Sequence, residues 1–433
     1  MTPREILALC REKEVRAVDL RLADLSGRWT RLSIPVGRLD EDLFEEGIGF
    51  DGSQLWGGPA ASASDLIAVP QPETAHLDPV AAVPTLAMLC NLHDPLTREP
   101  FARDPRQMAQ KAENYLRSTG FADAVSIGAK AQFFVFDEAT FETTATSSRY
   151  QLTALSEQAA LHSELLQALS DAGLAVEGEL QAASPWLPSA IGLARQPIVA
   201  LADSLLTYKH VVRQVARRRT KRATFMPQPL GDGPGSGLHT HFSFWKKDQP
   251  IFAGHGYAGL SELGLYAIGG VLRHAPALLA LCNPTTNSYK RLAGEAAPVA
   301  GYSQQNRTAA CRIPAYSASP KSRRIAFRTP DPSCNPYLAF AAIVLAAIDG
   351  IQLKLHPGQP LEEQRTNRPA ESSFPATLDE ALRALEEDQE FLLRDDVFTP
   401  AVLQTWIDEK RRIEIQPLRR RPHPLEFGQY FDC

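Results

Sequence analysis

Alternating apolar and polar residues predict two β-strands near the start of the chain. Within residues 15–35, every second residue from Val18 to Leu22 is apolar, and the dipeptide SG that follows is a turn signal. Short strands resume at TLAMLCNLHDP, after a stretch rich in loops. We therefore expect a small α+β module that extends to about residue 100.

Helical periodicity and three further strands are predicted downstream. An amphipathic helix is predicted in TALSEQAALHSELLQALSDAG, where leucines recur at four-residue spacing. Other helices are predicted in RDPRQMAQKAENYLRSTG, in SELGLYAIGGVLRHAPALLALCNP and in NPYLAFAAIVLAAIDG. The predicted strands of this part are 128–136, 237–245 and 324–329.

Two polar residues interrupt the first of these strands. In GAKAQFFVFD, residues 128–137, the strand period places Lys130 and Gln132 on the same face as two phenylalanines. Buried polar groups need partners, so this face indicates a site. The alternative is that both side chains lie at a strand edge in water.

Composition places the chain among ordinary globular proteins, with 44% hydrophobic and 22% charged residues. A length of 433 residues is too great for one compact core and suggests two domains. The net charge is −5, without a long run of either sign. Because a phosphate-binding protein should be basic, we expect no nucleic-acid partner.

Membrane and secretory signals are not predicted. The longest strongly apolar run, YLAFAAIVLAAIDG, is interrupted at Asp349 and is too short to cross a bilayer. The start of the chain, MTPREILALCREKE, is typical of a soluble helix and differs from a signal peptide. Six cysteines without a C-x-x-C pair argue against a zinc site or a disulfide framework. We expect a cytoplasmic protein without a membrane partner.

Histidines and basic residues collect where strands or tight loops are predicted. GPGSGLHTHFSFW places His239 and His241 on one strand face, after a glycine-rich turn that lets a ligand approach the backbone. Singly, a His-x-His is more often packing or surface, and paired arginines are usually solvated or salt-bridged. Together they indicate an anionic ligand, because guanidinium binds carboxylate and phosphate bidentately. The basic residues are Arg291, Arg307, Arg312, Lys321, Arg324 and Arg328.

Whole phrases of the sequence resemble bacterial-type glutamine synthetases over nearly the full chain. They include FDGS, RDPR, ATFMPQPLGDGPGSGLHTHFS, NRTAACRIP and PDPSCNPYLAFAA, in the family's order. The resemblance implies an α+β fold, with an N-terminal β-grasp domain at residues 1–100. A catalytic domain at residues 101–433 would contain a curved antiparallel sheet and surrounding helices. It also implies a homo-oligomeric ring, a hexamer or dodecamer, with sites between subunits.

The family uses ATP to form γ-glutamyl phosphate, which ammonia or an amine then attacks. Five glutamates and one histidine hold Mg2+ or Mn2+ ions there, because hard cations prefer carboxylate oxygens. His239 corresponds to the histidine, but no glutamate matches. We therefore expect no metal ion and no cofactor. The residues at the five glutamate positions are Lys130, Gln132, Ala182, Ala190 and Ala326.

Two stretches leave alternatives open. Within residues 176–191, a shifted register would offer Glu177 or Glu179 as a metal ligand. In the flap loop AGEAAP, Ala296 stands at the family's glutamate, and Glu295 would substitute after a shift of one residue.

The resemblance also implies roles for the matching residues. Asp51 corresponds to the base of the family's ammonia site, and Asp65 is also present. The candidate catalytic residues are Asp51, Lys130, His239 and Arg312. The candidate residues for binding substrate or nucleotide are Gly235, His241, Arg291, Arg307, Arg312, Lys321, Arg324 and Arg328.

Lys130 carries the central hypothesis about this site. Divalent ions beside so many arginines would be repelled by about 4 kcal/mol per close pair at an effective dielectric constant of about 20. We expect the Lys130 ammonium to occupy the place of one ion. A buried lysine without a nearby anion loses its proton, so this hypothesis requires an acidic partner or an anionic ligand.

Three functions follow from this hypothesis and its alternatives. The first is a repurposed enzyme or binding protein that needs neither metal nor ATP and binds a small anionic or amino-acid-like molecule. The second is an active γ-glutamyl–amine ligase, which would need ATP and Mg2+ or Mn2+. The third is a non-catalytic pseudoenzyme ring.

Overall fold

A computed structural model describes residues 1–143, 148–155, 159–180, 182, 184, 186–231, 233–294, 297–316, 319–363, 374–423, 426 and 429–430. Its strands are β1 (Ala17–Ala23), β2 (Trp29–Pro35), β3 (Ile48–Asp51), β4 (Asp65–Pro70), β5 (His76–Leu77), β6 (Thr85–His93), β7 (Ala124–Thr143), β8 (Ser148–Ala154), β9 (Val176–Leu180), β10 (Ser189–Gln196), β11 (Arg222–Thr224), β12 (Leu238–Lys246), β13 (Gln249–Pro250), β14 (Val299–Ser303), β15 (Ala309–Arg312) and β16 (Ile325–Phe327). Its α-helices are α1 (Pro3–Glu12), α2 (Asp42–Glu46), α3 (Pro105–Ser118), α4 (Ala159–Asp171), α5 (Ile198–Arg218), α6 (Glu262–Arg273), α7 (Ala275–Cys282), α8 (Thr286–Leu292), α9 (Pro336–Gln352), α10 (Leu378–Glu387), α11 (Pro400–Lys410) and α12 (Gln416–Arg419).

The N-terminal sheet has the strand order β2-β1-β6-β4-β3, and β5 pairs with β6. The hairpin predicted for residues 15–35 is confirmed as β1 and β2. Its turn contains Gly27, whose φ of +82° favours glycine, and a Cβ there would lie 2.8 Å from the Cα of Asn335. Asn335 caps α9 and donates to the Leu25 carbonyl at 3.1 Å. The hairpin turn therefore packs directly on the second part of the chain.

The larger sheet has the order β14-β15-β16-β12-β7-β10-β9, with β8 and β11 on β7 and β13 on β12. The predicted antiparallel arrangement is wrong for one pair, because β14 and β15 are parallel. The short loop between them folds back: Asn306 N donates to Ser303 Oγ at 2.6 Å, and Thr308 N donates to Asn306 Oδ1 at 2.8 Å. This return sets β15 beside β14 in the same direction.

Helices cover the sheet, and the most buried of them is α9, with Pro336–Ile351 all buried. It crosses α6 at two glycines. A Cβ at Gly270 would lie 2.1 Å from the Ala346 carbonyl oxygen, and one at Gly350 would lie 2.3 Å from that of Tyr266. The backbones therefore touch only because both residues lack a side chain.

The single helix predicted for SELGLYAIGGVLRHAPALLALCNP is wrong in one respect. The structure has two helices there, α6 and α7, bent by 72° at His274. Pro276 lies in the first turn of α7, where it is compatible with a helix start but breaks a continuous helix. No single helix among the described residues has the length and apolar character for a membrane span, although the bent α6–α7 pair passes that test when taken together.

Strand β7 is the centre of the larger sheet. Its residues Phe133 and Phe134 are fully buried on opposite faces, so both faces are covered there. Lys130 and Gln132, which precede these phenylalanines on β7, are only half-buried. The sheet therefore opens to one side at these polar residues.

Candidate functional site

A row of paired residues places Lys130 in the floor of a cleft. Lys130 lies opposite Gly192 on one side and His239 on the other, and Gly192 lies opposite Gly178. The glycines leave the space beside the lysine free of side chains. Within the described part of the chain, no hydrogen bond or ion pair is formed by the Lys130 ammonium. The cleft above this row measures about 440 Å³.

Gln132 has a different role from Lys130. Its Oε1 accepts a hydrogen bond from Gly237 N at 2.6 Å, and its own N donates to the Gly237 carbonyl at 3.0 Å. A Cβ at Gly237 would lie 2.6 Å from an Arg291 nitrogen, so a side chain at this position would displace the Arg291 guanidinium. Gln132 therefore fastens the glycine-rich turn and does not line the cleft.

A second row runs parallel to the first. Gly128 lies opposite His241, His241 opposite Ala326, and Ala326 opposite Arg312. Arg324 and Arg328 flank the short strand β16 and also line the cleft. The predicted grouping of His239, His241, Arg307, Arg312, Arg324 and Arg328 around Lys130 is thus observed.

Positive charge dominates the cleft. Among the residues that the structure describes, Glu177 is the one carboxylate of the lining, against six basic side chains. Burial and the charge of Arg324 lower the pKa of His241 to about 3. Burial and the charge of Arg328 also hold the pKa of His239 well below its usual value. Both imidazoles are therefore neutral at physiological pH. The basic residues are Lys130, Arg195, Arg307, Arg312, Arg324 and Arg328.

Comparisons with known proteins identify the family. A sequence model described as "Glutamine synthetase, catalytic domain" matches residues 102–430. A second one, described as "Glutamine synthetase, beta-Grasp domain", matches residues 14–95. The chain belongs to the glutamine synthetase family. The expected β-grasp and catalytic domains in an α+β fold are thereby confirmed.

Relatives in the glutamine synthetase family match over the whole chain. A protein named glutamine synthetase from Aquifex aeolicus is 43% identical over 465 residues, covering 100% of this chain and 99% of that protein. One of the same name from Microchaete diplosiphon is 40% identical over 469 residues and is covered completely, as is this chain. The cryo-EM structure of Plasmodium falciparum glutamine synthetase has a TM-score of 0.89 at 23% identity, with 99% of each chain covered. That last likeness concerns the fold alone.

Glutamine synthetases imply Mg2+ or Mn2+, and the described side chains at the positions matched to their metal ligands do not fit such an ion. Lys130 offers an ammonium, Gln132 Oε1 is engaged by Gly237, and Ala190 and Ala326 offer methyl groups. Hard cations require several oxygen ligands. In the described ranges, no group of three or more His, Cys, Asp or Glu is placed to hold a metal ion. That these positions correspond to the family's metal ligands stays a prediction.

The stretch with the alternative ligands is described in part. Ala182 is half-buried between β9 and β10 and does not line the cleft. Glu177 does line it, with a largely exposed side chain. The side chain of Glu179, and the flap residues Glu295 and Ala296, lie outside the described residues.

Arg291 is not among the residues that line the Lys130 cleft, and its expected role in binding a ligand stays a prediction. Its Nη1 donates to the Thr329 carbonyl at 2.8 Å, and its Nη2 donates to the Arg328 carbonyl at 3.3 Å. The guanidinium therefore holds the backbone that follows β16, below the cleft lining. Gly235 is also structural, because a Cβ there would lie 2.2 Å from the Pro227 carbonyl oxygen.

Two other candidates lie away from the Lys130 cleft. Lys321 is exposed in a short 3-10 turn before β16. Asp51 lies opposite Asp65 in the N-terminal sheet and lines a separate cleft with it. The backbone hydrogen bond from Ser53, 2.9 Å long, lowers the pKa of Asp51, so this carboxylate is ionised. Within one chain, the Lys130 cleft and the Asp51 cleft are therefore separate and share no lining residue.

Sequence reasoning missed Arg195, which lines the cleft from β10. The register of β10 against β7 shifts between Leu193 and Gln196. Such an irregularity redirects the side chains that follow it. Strict alternation along SAIGLARQ could not predict this direction, although a charged residue in an otherwise apolar strand was a usable signal.

Proposed function

We propose that this member of the glutamine synthetase family binds a small anionic or amino-acid-like molecule in the Lys130 cleft without a divalent metal ion. The observation that carries the proposal is the position of Lys130, in register between Gly192 and His239 on the cleft floor. Its ammonium lies where the resemblance puts a metal ligand. Positive charge is then supplied by the chain itself and not by exchangeable ions.

The charge balance supports an anionic ligand. Six basic side chains and the single described carboxylate of Glu177 line one cleft. Like charges confined in this way repel one another, and a bound anion with several acceptor oxygens relieves that repulsion. Arg312 donates a hydrogen bond from Nη1 to the Tyr316 hydroxyl at 3.1 Å. Arg312 and Arg328 both line the cleft and are placed to receive a carboxylate or phosphate group.

A catalytic version of this proposal uses the same side chains. His239 and His241 line the cleft beside Lys130. A bound anion would offset the neighbouring positive charge and raise the lowered pKa of both imidazoles, which makes them better proton acceptors beside the Lys130 ammonium. Proton transfer of this kind needs no nucleotide. Lys130 and His239 are therefore the proposed acid–base pair, whereas Arg312 fixes the ligand.

The second candidate is an ATP-dependent γ-glutamyl ligase that joins glutamate to ammonia or an amine. The comparisons favour this candidate over the metal-free one, since relatives named glutamine synthetase are about 40% identical over the full chain. The composition of the cleft favours the metal-free candidate. The conflict is between family membership and the side chains at one site, and it is open to direct measurement.

Thermal unfolding and phosphate release separate the two candidates. We expect glutamate or another small carboxylate to raise the melting temperature of the purified full chain. In the presence of ATP, millimolar Mg2+ or Mn2+ should not raise it further, and no phosphate should be released with glutamate plus an amine. Metal-dependent phosphate release would overturn the metal-free proposal and establish the ligase. The glutamine synthetase of Aquifex aeolicus is the positive control.

We also propose that the chain assembles into a homo-oligomeric ring. The acidic cleft of Asp51 and Asp65 would then face the Lys130 cleft of a neighbouring subunit, which would complete the site. Opposite charges on the two clefts support such a contact. Light scattering of the full chain tests it: a monomer at micromolar concentration would contradict the ring.

A further inference from the structure

The return loop between β14 and β15, residues 304–308, carries Arg307 into the lining of the Lys130 cleft. Residues 305–308 are exposed, so the loop has little core of its own. Within the described ranges, the Arg307 side chain forms no hydrogen bond or ion pair. The direction of this guanidinium therefore depends on how the backbone of the loop is held.

A carboxylate outside the described lining of the cleft holds this loop. Glu362 lies in the short 3-10 turn Leu361–Glu363. Its Oε1 accepts hydrogen bonds from Ser303 Oγ and, at 2.9 Å, from Gln305 N. Its Oε2 accepts one from the Tyr257 hydroxyl, also at 2.9 Å. Glu362 therefore contacts the loop at its start and joins it to a residue that lies before α6.

Two of these partners extend the hydrogen bonds along the loop. Ser303 Oγ, which donates to Glu362, accepts a hydrogen bond from Asn306 N at 2.6 Å. The Tyr257 hydroxyl accepts one from Gln304 N at 2.9 Å. The three consecutive backbone N–H groups that precede the cleft arginine are thus all held by one carboxylate, either directly or through one hydroxyl.

The turn that carries Glu362 is itself fixed against β14. A Cβ at Gly301 would lie 2.7 Å from Leu361 Cδ2, so this leucine lies directly on the backbone of the strand. The Tyr302 hydroxyl donates a hydrogen bond to the Gly358 carbonyl at 3.0 Å. The carboxylate therefore holds the loop from a support that is anchored independently of it.

Glu362 is a strong acceptor although its side chain is exposed. Burial alone would raise the pKa of Glu362, but the hydrogen bonds from Ser303 and Gln305 outweigh it and lower the pKa to about 2. The carboxylate is therefore ionised at physiological pH, and hydrogen bonds to a charged acceptor are stronger than neutral ones. Since Glu362 lies outside the core, these bonds act mainly on the position of the loop.

We propose that Glu362 is a positioning residue for Arg307: it fixes the return loop so that this guanidinium faces an anion bound in the Lys130 cleft. The proposal rests on the proposed anion-binding function and adds a residue outside the cleft that sets the affinity of the cleft. Without the carboxylate, the loop would lose its common acceptor. The guanidinium would then spend part of its time directed away from the cleft.

A double-mutant cycle measured by calorimetry tests this proposal, with glutamate and inorganic phosphate as the probes for the full chain. We expect Glu362→Ala to weaken the binding of either probe about fivefold and Arg307→Ala to weaken it about tenfold. The double variant should bind no more weakly than Arg307→Ala alone, because both changes remove the same contact. Glu362→Gln keeps one acceptor oxygen and should retain part of the affinity.

Two controls accompany the cycle. Arg195 lies on β10, outside the hydrogen bonds of the loop, so Arg195→Ala and Glu362→Ala should have additive effects. Glu390→Ala removes an exposed glutamate outside the cleft and should leave the affinity unchanged. An unchanged melting temperature of Glu362→Ala establishes that the variant is folded.

The possible outcomes separate the positioning role from anion binding itself. If Glu362→Ala binds both probes as the wild type does, or weakens binding equally with and without Arg307, the positioning role is wrong while anion binding stands. If the wild type binds neither probe, the proposed function fails and the positioning role fails with it. Hydrogen exchange at residues 304–306 should be faster in Glu362→Ala, and unchanged exchange would also overturn the proposal.

Discussion

One buried arginine, Arg106, and the five arginines of the Lys130 cleft have opposite surroundings. At the start of α3, Arg106 is almost fully buried, and its Nε and Nη2 donate to the two carboxylate oxygens of Asp203 at 3.2 and 3.1 Å. Its Nη1 donates to Asn91 Oδ1 at 2.8 Å, and Glu73 is 3.3 Å from Nη2. In the Lys130 cleft, by contrast, five arginines share the single described carboxylate of Glu177.

The difference separates charge that serves folding from charge that serves a ligand. Arg106 has an acceptor for each of its nitrogens, so its burial is compensated within the chain. Among the described residues, the cleft arginines have few acceptors, such as the Tyr316 hydroxyl for Arg312 and the Ser322 carbonyl for Arg324. Their mutual repulsion therefore favours the binding of an anion. Perturbed and uncompensated charges in a cleft are typical of functional sites.

The largest effect is expected from Arg106→Met. Asp203, whose side chain is 14% exposed, would then keep the Tyr337 hydroxyl, 2.5 Å away, as its one strong donor among the described side chains. Breaking a buried pair by removing one partner costs about 3–5 kcal/mol. Urea unfolding of the full chain should show this loss in the free energy of unfolding.

The exposed Arg222 supplies the control for this prediction. Arg222→Met should change the free energy of unfolding by less than about 0.5 kcal/mol, as is usual for surface substitutions. An Arg106→Met variant as stable as Arg222→Met would show that the buried pair does not stabilise the fold. The contrast between the two sets of arginines would then lose its physical basis.

Much of the fold was predictable because its signals are local. The β1–β2 hairpin follows from alternation and a turn dipeptide, and α9 follows from a long apolar run that begins at Asn335-Pro336. The parallel pairing of β14 and β15 was not predictable, since it depends on side-chain hydrogen bonds within the loop from Ser303 to Thr308. A single sequence does not show such loop geometry.

The candidate site was predictable to a similar degree. The grouping of Lys130 with His239 and Arg328 follows from strand periodicity together with the family resemblance. Arg195 was missed because a register shift directs it into the cleft. The hydrogen bonds of Arg291 to the backbone carbonyls of residues 328 and 329 were not predictable, because a single sequence does not reveal which acceptors a guanidinium meets.

A smaller, pH-dependent effect is expected at His274, where charge is again paired. Its Nδ1 is 2.8 Å from Asp388 and its Nε2 is 3.0 Å from Asp349. Burial alone would lower the pKa of His274, but the hydrogen bonds to both carboxylates outweigh it and raise the pKa. The resulting stabilisation is complete below the unfolded pKa of about 6.5 and is lost as pH rises through the raised folded pKa.

Asp349→Asn tests this pairing. The substitution should cost about 1–3 kcal/mol below pH 6, because a hydrogen bond to a charged group is lost. The cost should shrink as pH rises and wild-type His274 becomes neutral. Urea unfolding at several pH values measures both trends. A variant that keeps the wild-type dependence on pH would contradict a charged His274 in the folded protein.

The smallest effect is expected from Arg324→Met, the cleft counterpart of Arg106→Met. The side chain donates one hydrogen bond to the backbone and faces Arg195, so its removal relieves repulsion while little packing is lost. In low salt, the free energy of unfolding should stay level or rise by up to about 1 kcal/mol. The gain should vanish at about 1 M salt, because the Debye length falls to about 3 Å. If Arg324→Met lowered the free energy of unfolding as much as Arg106→Met, Arg324 would stabilise the fold. The distinction between buried, paired arginines and cleft arginines would then be wrong.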